Sequence, residues 1–337
     1  MKWEIAKLGK IAIIRTGKLD SNAAVIGGRY PFFTCDPNTL SIDVWAYDTE
    51  AVLLAGNNAS GNYTAKYYKG KFNAYQRTYI IESANEEELN IRYLYYALNQ
   101  QLRLLKTMSS GSTTKFLTIR MLDNLDIPLI GINIQTQIVN ILSAYDDLIE
   151  NNQKQIKLLE EAAQRLYKEW FVDLRFPGHE NTKIVDGVPE GWNWCKLEDA
   201  IQFDPKVTLT KERMKQFIPM SALSTSSMVL DESQFTETTS NSGSKFQNGD
   251  TLLARITPCL ENGKTAYVSG LKSSEGAVGS TEYIVMRAKT INAYMVYLLA
   301  RTDDFRQSAI NSMSGSDGRQ RVKSDKLKML DYLHPTS

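Results

Sequence analysis

A chain of 337 residues exceeds the ~250–300 residues that one hydrophobic core usually serves, so two domains are expected. Its 42% hydrophobic, 23% charged and 10% aromatic residues exclude a disordered or fibrous chain. With 39 Lys+Arg against 38 Asp+Glu the formal charge is +1, which excludes a uniformly basic nucleic-acid binder but not a local basic surface.

Nothing at Met1-Lys2-Trp3-Glu4 opens the apolar segment of a signal peptide. No apolar run approaches the ~18 residues of a membrane span, so no membrane partner is expected. Cys35, Cys195 and Cys259 stand apart, as do His179 and His334. No Cys/His metal site is expected, and sparse cysteines fit a reducing, cytoplasmic location.

The chain repeats itself. Lys7-Leu8 follows Trp3, and Lys196-Leu197 follows Trp194. Strand-like runs come next, 51–55 and 251–255, then 77–81 and 281–285. Ile91, Leu94, Tyr95, Leu98, Leu102 and Leu105 have helical spacing; Met295, Leu298, Leu299 and Phe305 repeat it. Each helix leads into a small-residue loop. Gly111 and Gly315 lie 204 residues apart, as do Tyr79 and Tyr283. Leu122-x-x-Leu125-Asp126 then parallels Leu327-x-x-Leu330-Asp331. These correspondences, all in order, predict two copies of one α+β unit.

Between the copies, no Gly or Pro occurs from Asn133 to Val172. Ile138, Leu142, Tyr145, Ile149, Asn152, Ile156, Leu159, Ala163, Leu166 and Trp170 recur at alternating steps of 4 and 3. That spacing is a coiled-coil seam on a helix of roughly 60 Å. Ile141, Leu148 and Ala162 widen the stripe enough for more than one partner helix. Phe176-Pro177-Gly178 stops the helix, and the polar stretch to Gly191 reads as a linker. Two similar modules on one helix suit an extended ligand with a repeating frame, of which DNA is the obvious case.

The residues around this helix carry a resemblance. The run Ile127-Pro-Leu-Ile-Gly-Ile-Asn-Ile-Gln135-Thr-Gln-Ile138-Val resembles the opening of the spacer helix in type I restriction–modification specificity subunits. Leu166-Tyr-Lys-Glu-Trp170-Phe171-Val-Asp173-Leu-Arg-Phe176-Pro177-Gly-His-Glu180 resembles its close. Gly131 and Asn133 stand where that family usually has a second proline and an acidic residue. The resemblance implies target recognition domain 1 at 1–132, a spacer helix at 133–176, a linker at 177–190 and target recognition domain 2 at 191–337. The family usually has a second spacer helix, antiparallel to the first. This chain stops at Ser337, so one spacer is expected here.

The implied function is to read double-stranded DNA, one half of a split asymmetric site per domain, for two methyltransferase subunits and for restriction subunits. S-adenosylmethionine, ATP and Mg belong to those partners, and no cofactor is expected in this chain. The seam from Ile138 to Trp170 would bind partner helices, or a second copy of the chain.

The motifs agree that catalysis lies elsewhere. Asp36-Pro-Asn and Asp204-Pro-Lys lack the second proline and aromatic of an adenine-methyltransferase loop and read as turns. Gly263-Lys264-Thr265 lacks the earlier glycine of a P-loop. The isolated histidines argue against a nuclease. The competing reading from the residues alone is a coiled-coil assembly protein whose two domains bind proteins.

Polar loops remain as candidate base readers. Asn57, Asn58, Ser60, Asn62 and Tyr63 form an amide-rich loop, and paired amides suit adenine. The corresponding loop of the second copy offers Arg255, Thr257, Asn262 and Lys264; arginine suits guanine. The small-residue loops add Ser112, Thr113 and Lys115 in one copy and Ser316, Arg319 and Arg321 in the other, which suit phosphates. Residues 1–130 carry 15 Lys+Arg and 12 Asp+Glu; residues 131–176 carry 5 and 7; the remainder carries 19 of each. So neutral a reader should bind DNA weakly alone.

Overall fold

The computed structural model describes residues 4–58, 62–108, 115–316 and 318–335. The chain divides into two compact units, Met1–Glu150 and Asn151–Ser337.

The first unit is built on a six-stranded sheet. Its order is Ala12–Thr16, Thr78–Ser83, Tyr47–Ala55, Ala65–Ala74, Tyr30–Phe33 and Leu40–Ile42. All neighbours are antiparallel except Tyr30–Phe33 against Ala65–Ala74. Alternate residues of a strand face opposite ways, and both faces of the central strand are used. Val52 and Leu54 pack with helix Ile91–Met108 through Ile91, Leu94, Leu98 and Leu105. Ala51 and Leu53 pack on the other side with Phe33, Phe72 and Ile80. Strand Glu4–Lys7 pairs antiparallel with Asp126–Leu129, and Lys7 Nζ lies 2.6 Å from an Asp126 carboxylate oxygen.

The second unit repeats this plan. Strand Trp192–Lys196 pairs with Asp331–Pro335, and Lys196 Nζ lies 2.7 Å from Asp331. A four-stranded sheet runs Ile201–Phe203, Tyr283–Ala288, Thr251–Ala254, Thr265–Tyr267, the order of the first four strands of the first unit. Four further strands form a second sheet: Thr236–Thr238, Lys215–Ile218, Ala277–Gly279, Ser244–Phe246.

The register explains why one sheet became two. Leu54 pairs with Ala65, and Leu253 pairs with Thr265. Phe32 pairs parallel with Asn73, and Phe217 with Val278. The single strand Ala65–Ala74 therefore corresponds to two short strands, Thr265–Tyr267 and Ala277–Gly279, with extra residues between them. The helix differs as well. The single helix expected across Met295–Phe305 is two, Ala293–Arg301 and Asp303–Asn311. Thr302 is extended and its hydroxyl caps the second by accepting from Phe305 N, with Asp303 and Asp304 in the first turn. Both features start a helix rather than continue one.

The division between units falls within helix Ile132–Tyr167, whose 36 residues make about 54 Å of helix. Its start is anchored in the first unit by Gln135, which is fully buried. The Gln135 amide donates to Glu88 O (2.7 Å) and Ile130 O (2.6 Å), and its oxygen accepts from Asn90 N (2.9 Å). About three turns further on, Tyr96 donates to Asp146 at 2.6 Å and Arg92 lies 3.5 Å from Asp147. Burial, then the Asp146 hydrogen bond, pushes the Tyr96 hydroxyl up to about 12, so it remains a donor at neutral pH.

Regular helix was expected to residue 176. It ends at Tyr167, and one π-helical turn, Lys168–Val172, follows. There the aromatic residues of the second family-like segment find a structural purpose. Trp192 stacks against both Phe171 (5.8 Å) and Phe176 (5.0 Å), and Tyr167 is buried. The stretch expected as a linker holds a short hairpin, Ile184–Val185 with Val188–Pro189. No helix among the described residues is long and apolar enough to cross a membrane.

Gln135→Ala strands two carbonyls and one amide hydrogen in a buried site. Unsatisfied buried groups of this kind cost ~1–3 kcal/mol, so the urea midpoint of the first unit should fall accordingly. An unchanged midpoint would show that water replaces the amide at no cost.

Candidate nucleic-acid interface

In each unit, loops distant in sequence are joined by backbone. Asn57–Asn58 pairs antiparallel with Lys115–Phe116, and Leu117 N donates to Gly56 O at 2.8 Å. In the second unit Ile256 bridges Arg321, and Val322 N donates to Arg255 O at 2.9 Å. Thr257 N also donates to Gln320 O at 3.1 Å. Both junctions sit just beyond the central strand, Tyr47–Ala55 or Thr251–Ala254. The two loop pairs read separately from the sequence are thus one platform per unit.

In the first platform Asn57 is half-buried, and its side-chain oxygen is buried without a hydrogen-bond partner. Asn58 accepts from Asn62 N at 3.2 Å, and exposed Asn62 accepts from Lys106 Nζ at 2.7 Å. Lys115 is half-buried. Tyr63 corrects the surface role expected for it. It is 4% exposed and lies in the core with Val52, Leu54 and Leu105. Ser60, Ser112 and Thr113 lie outside the described residues.

In the second platform the residues divide by what already holds them. Arg321 makes a bidentate pair with Glu282, at 2.8 to 3.0 Å, and its Nη1 donates to Arg319 O. The phosphate contact expected of it is therefore an internal ion pair that braces the loop junction. Lys264 Nζ donates to Met220 O at 2.9 Å, and Thr257 donates to Glu261 at 3.0 Å; both serve the loop first. Asn262, Ser316 and Arg319 are exposed. Arg255 is half-buried, and its Nε is buried with no acceptor.

Sequence reading missed Lys206, Lys211 and Lys245. Together with Arg255 they line a groove of about 660 Å³ in the second unit. No periodicity or motif marks them, because separate segments meet there only in the fold. Among the described residues no group of acids, histidines or cysteines could hold a metal.

Along the helix, the seam residues also divide. Leu142, Tyr145, Ile149, Ile156, Leu159 and Leu166 are 37 to 69% exposed, and Asn152 is exposed. Ile138 instead packs on the first unit's core. Trp170 is half-buried beside Phe171, at 6.3 Å.

A repeated α+β module with a two-loop platform, with one long helix between the copies in the sequence, defines a two-module protein. Residues 1–161 match the family model described as the type I restriction modification DNA specificity domain. The EcoDI specificity subunit of Escherichia coli is 31% identical over 228 residues, 61% of this chain and 50% of that protein. The MjaIX specificity subunit of Methanocaldococcus jannaschii is 36% identical over 118 residues, 33% of this chain and 27% of that one. A solved S subunit of a type I restriction–modification system from M. genitalium has the same fold. Its TM-score is 0.62 at 16% identity, over all of this chain and 85% of that one. Residues 1–161 thus resemble the type I restriction–modification DNA specificity domain, and the chain is similar to specificity subunits that carry it. It spans half or less of the length of these curated relatives.

Arg321 and Arg319 test the division within the second platform. Arg321→Ala leaves Glu282 without its partner and should lower the urea midpoint of the second unit. Arg319→Ala should stay within ~0.5 kcal/mol of the parent. The Arg321 hydrogen bond lowers the Glu282 pKa, so this contribution is full above the ordinary glutamate range. It is lost as pH falls through the lowered value. Urea titrations at neutral and acid pH measure both; equal midpoints for the two variants at neutral pH would contradict the division.

Proposed function

We propose that this chain is the DNA-reading subunit of a type I restriction–modification complex. Each unit reads one half of a bipartite asymmetric site. The observation that carries this reading is the platform, which recurs at the same place in both units with different side chains. One scaffold presenting two different chemistries suits two different half-sites. The first platform offers the amides of Asn57, Asn58 and Asn62, matched to adenine edges; the second offers Arg255, matched to guanine.

The helix between the platforms docks the methyltransferase subunits through Leu142 to Leu166, and restriction subunits join that assembly. S-adenosylmethionine, ATP and Mg act in those partners, and the chain itself performs no chemistry. The complex works in the cytoplasm, where the DNA is. Apolar side chains left this exposed along one helix favour a protein partner.

Arg255→Ala should relax one half-site and leave the other intact. Asn57→Ala with Asn58→Ala should do the reverse. A lost bidentate contact costs ~1–3 kcal/mol at its base. Methylation mapping across a genome reads both, and relaxation of both half-sites by either change would refute one platform per half-site. Separately, Ile149→Asp with Leu159→Asp should abolish co-elution with the methyltransferase subunit while circular dichroism stays unchanged. An intact complex on the sizing column would exclude this helix face as the dock.

A further inference from the structure

We propose that the groove of the second unit seats the sugar–phosphate backbone of one DNA strand and feeds that strand to the reading platform. Lys206, Lys211 and Lys245 are its phosphate contacts. The inference rests on the DNA-reading assignment above and adds the residues that hold the backbone.

Charge points there first. Most cations of this unit with a carboxylate in reach are paired: Lys196 with Asp331, Arg213 with Glu275, Arg287 with Asp250, Arg321 with Glu282 and Lys328 with Asp325. The ammonium groups of Lys206, Lys211 and Lys245 have no hydrogen bond or ion pair among the described residues. They line one groove with Arg255, whose Nε also lacks an acceptor. The one carboxylate in the lining, Asp204, is engaged by Val285 N at 3.0 Å and by the Ser324 hydroxyl. From residue 177 onward the chain carries 19 positive and 19 negative residues. A concentrated positive groove on a neutral background attracts a polyanion locally.

Shape agrees with charge. A neighbouring depression shares Gly243 and Thr281 with the groove and is lined by Thr238, Ser240 and Ser242. Hydroxyls beside lysines extend the run of phosphate partners. The wall is pre-set. Lys215, 7% exposed, donates to Thr239 O (3.2 Å) and to Asn241 Oδ1 (2.6 Å). Gly243 brings backbone into the lining. Gly243 has φ +114°, and a Cβ there would lie 2.1 Å from Gly279 O. A groove of about 660 Å³ takes part of one strand's backbone, not a duplex. Arg255 connects the two sites, since it lines the groove and its backbone oxygen holds the platform's second loop.

The test is a salt titration of the full chain binding a fluorescein-labelled DNA duplex, starting from low salt. Lys206→Gln/Lys211→Gln/Lys245→Gln should lower the slope of log affinity against log salt by roughly 2–3, at ~0.9 per lost phosphate contact. The loss should be equal on cognate and scrambled duplexes. The charge-matched variant Lys183→Gln/Lys272→Gln/Lys326→Gln, outside the groove, should keep the parent slope. An unchanged slope in the groove variant, or an equal drop in both variants, would overturn the groove alone. A parent chain that holds no duplex even at low salt would overturn the DNA-reading assignment and the groove with it.

Discussion

The strand at the centre of each unit is buried on both faces, and the candidate interface hangs from its end. Val52 and Leu54 face one core while Ala51 and Leu53 face the other; Leu253 and Leu252 divide in the same way in the second unit. A strand gripped from both sides cannot slip by one residue without turning every side chain to the wrong core. The loop that follows therefore starts at a defined place. Its bridge to the second loop passes that definition on to both halves of the platform. The variable chemistry is carried on an invariant mounting, which lets two platforms differ in their side chains and keep one geometry.

Much of this was legible in the sequence, for a physical reason. Period-2 and period-3.6 patterns report burial directly, so the repeat, its strands and the long helix could be read from spacing. Pairings between distant segments have no such signal. Nothing in Asn57 or Lys115 announces that they are neighbours, and the groove lysines lie in segments that meet only after folding. Residue type alone also misassigned two side chains. Tyr63 looked like a surface aromatic in a polar loop, and the fold packs it into the first unit's core. Arg321 looked like a phosphate ligand, and Glu282, thirty-nine residues away, had already claimed it. The break at Thr302 depended on a cap rather than on periodicity. The apolar spacing continued through it, but a hydroxyl and two acids restarted the helix.

The long helix shows how one apolar stripe serves several masters. At its start, Val139 is buried, Ile138 packs on the first unit and Gln135 is buried with its amide hydrogen-bonded. At its end, Tyr167 and the aromatic cluster around Trp192 belong to the second unit. The middle remains in water, with Tyr145, Ile149 and Leu159 more than half exposed. A uniform heptad pattern conceals this division, since the same residue types satisfy an intramolecular core and an intermolecular seam.

In each unit the strand that enters lies antiparallel to the strand that leaves, and the same Lys–Asp pair closes both. A module whose two ends meet is a self-contained cassette. Copying it in tandem, or exchanging it for another with the same edges, requires no opening of its sheet and no new path for the chain. Exchange at these paired edges would create a new pairing of platforms in one step, without passing through an unfolded intermediate design.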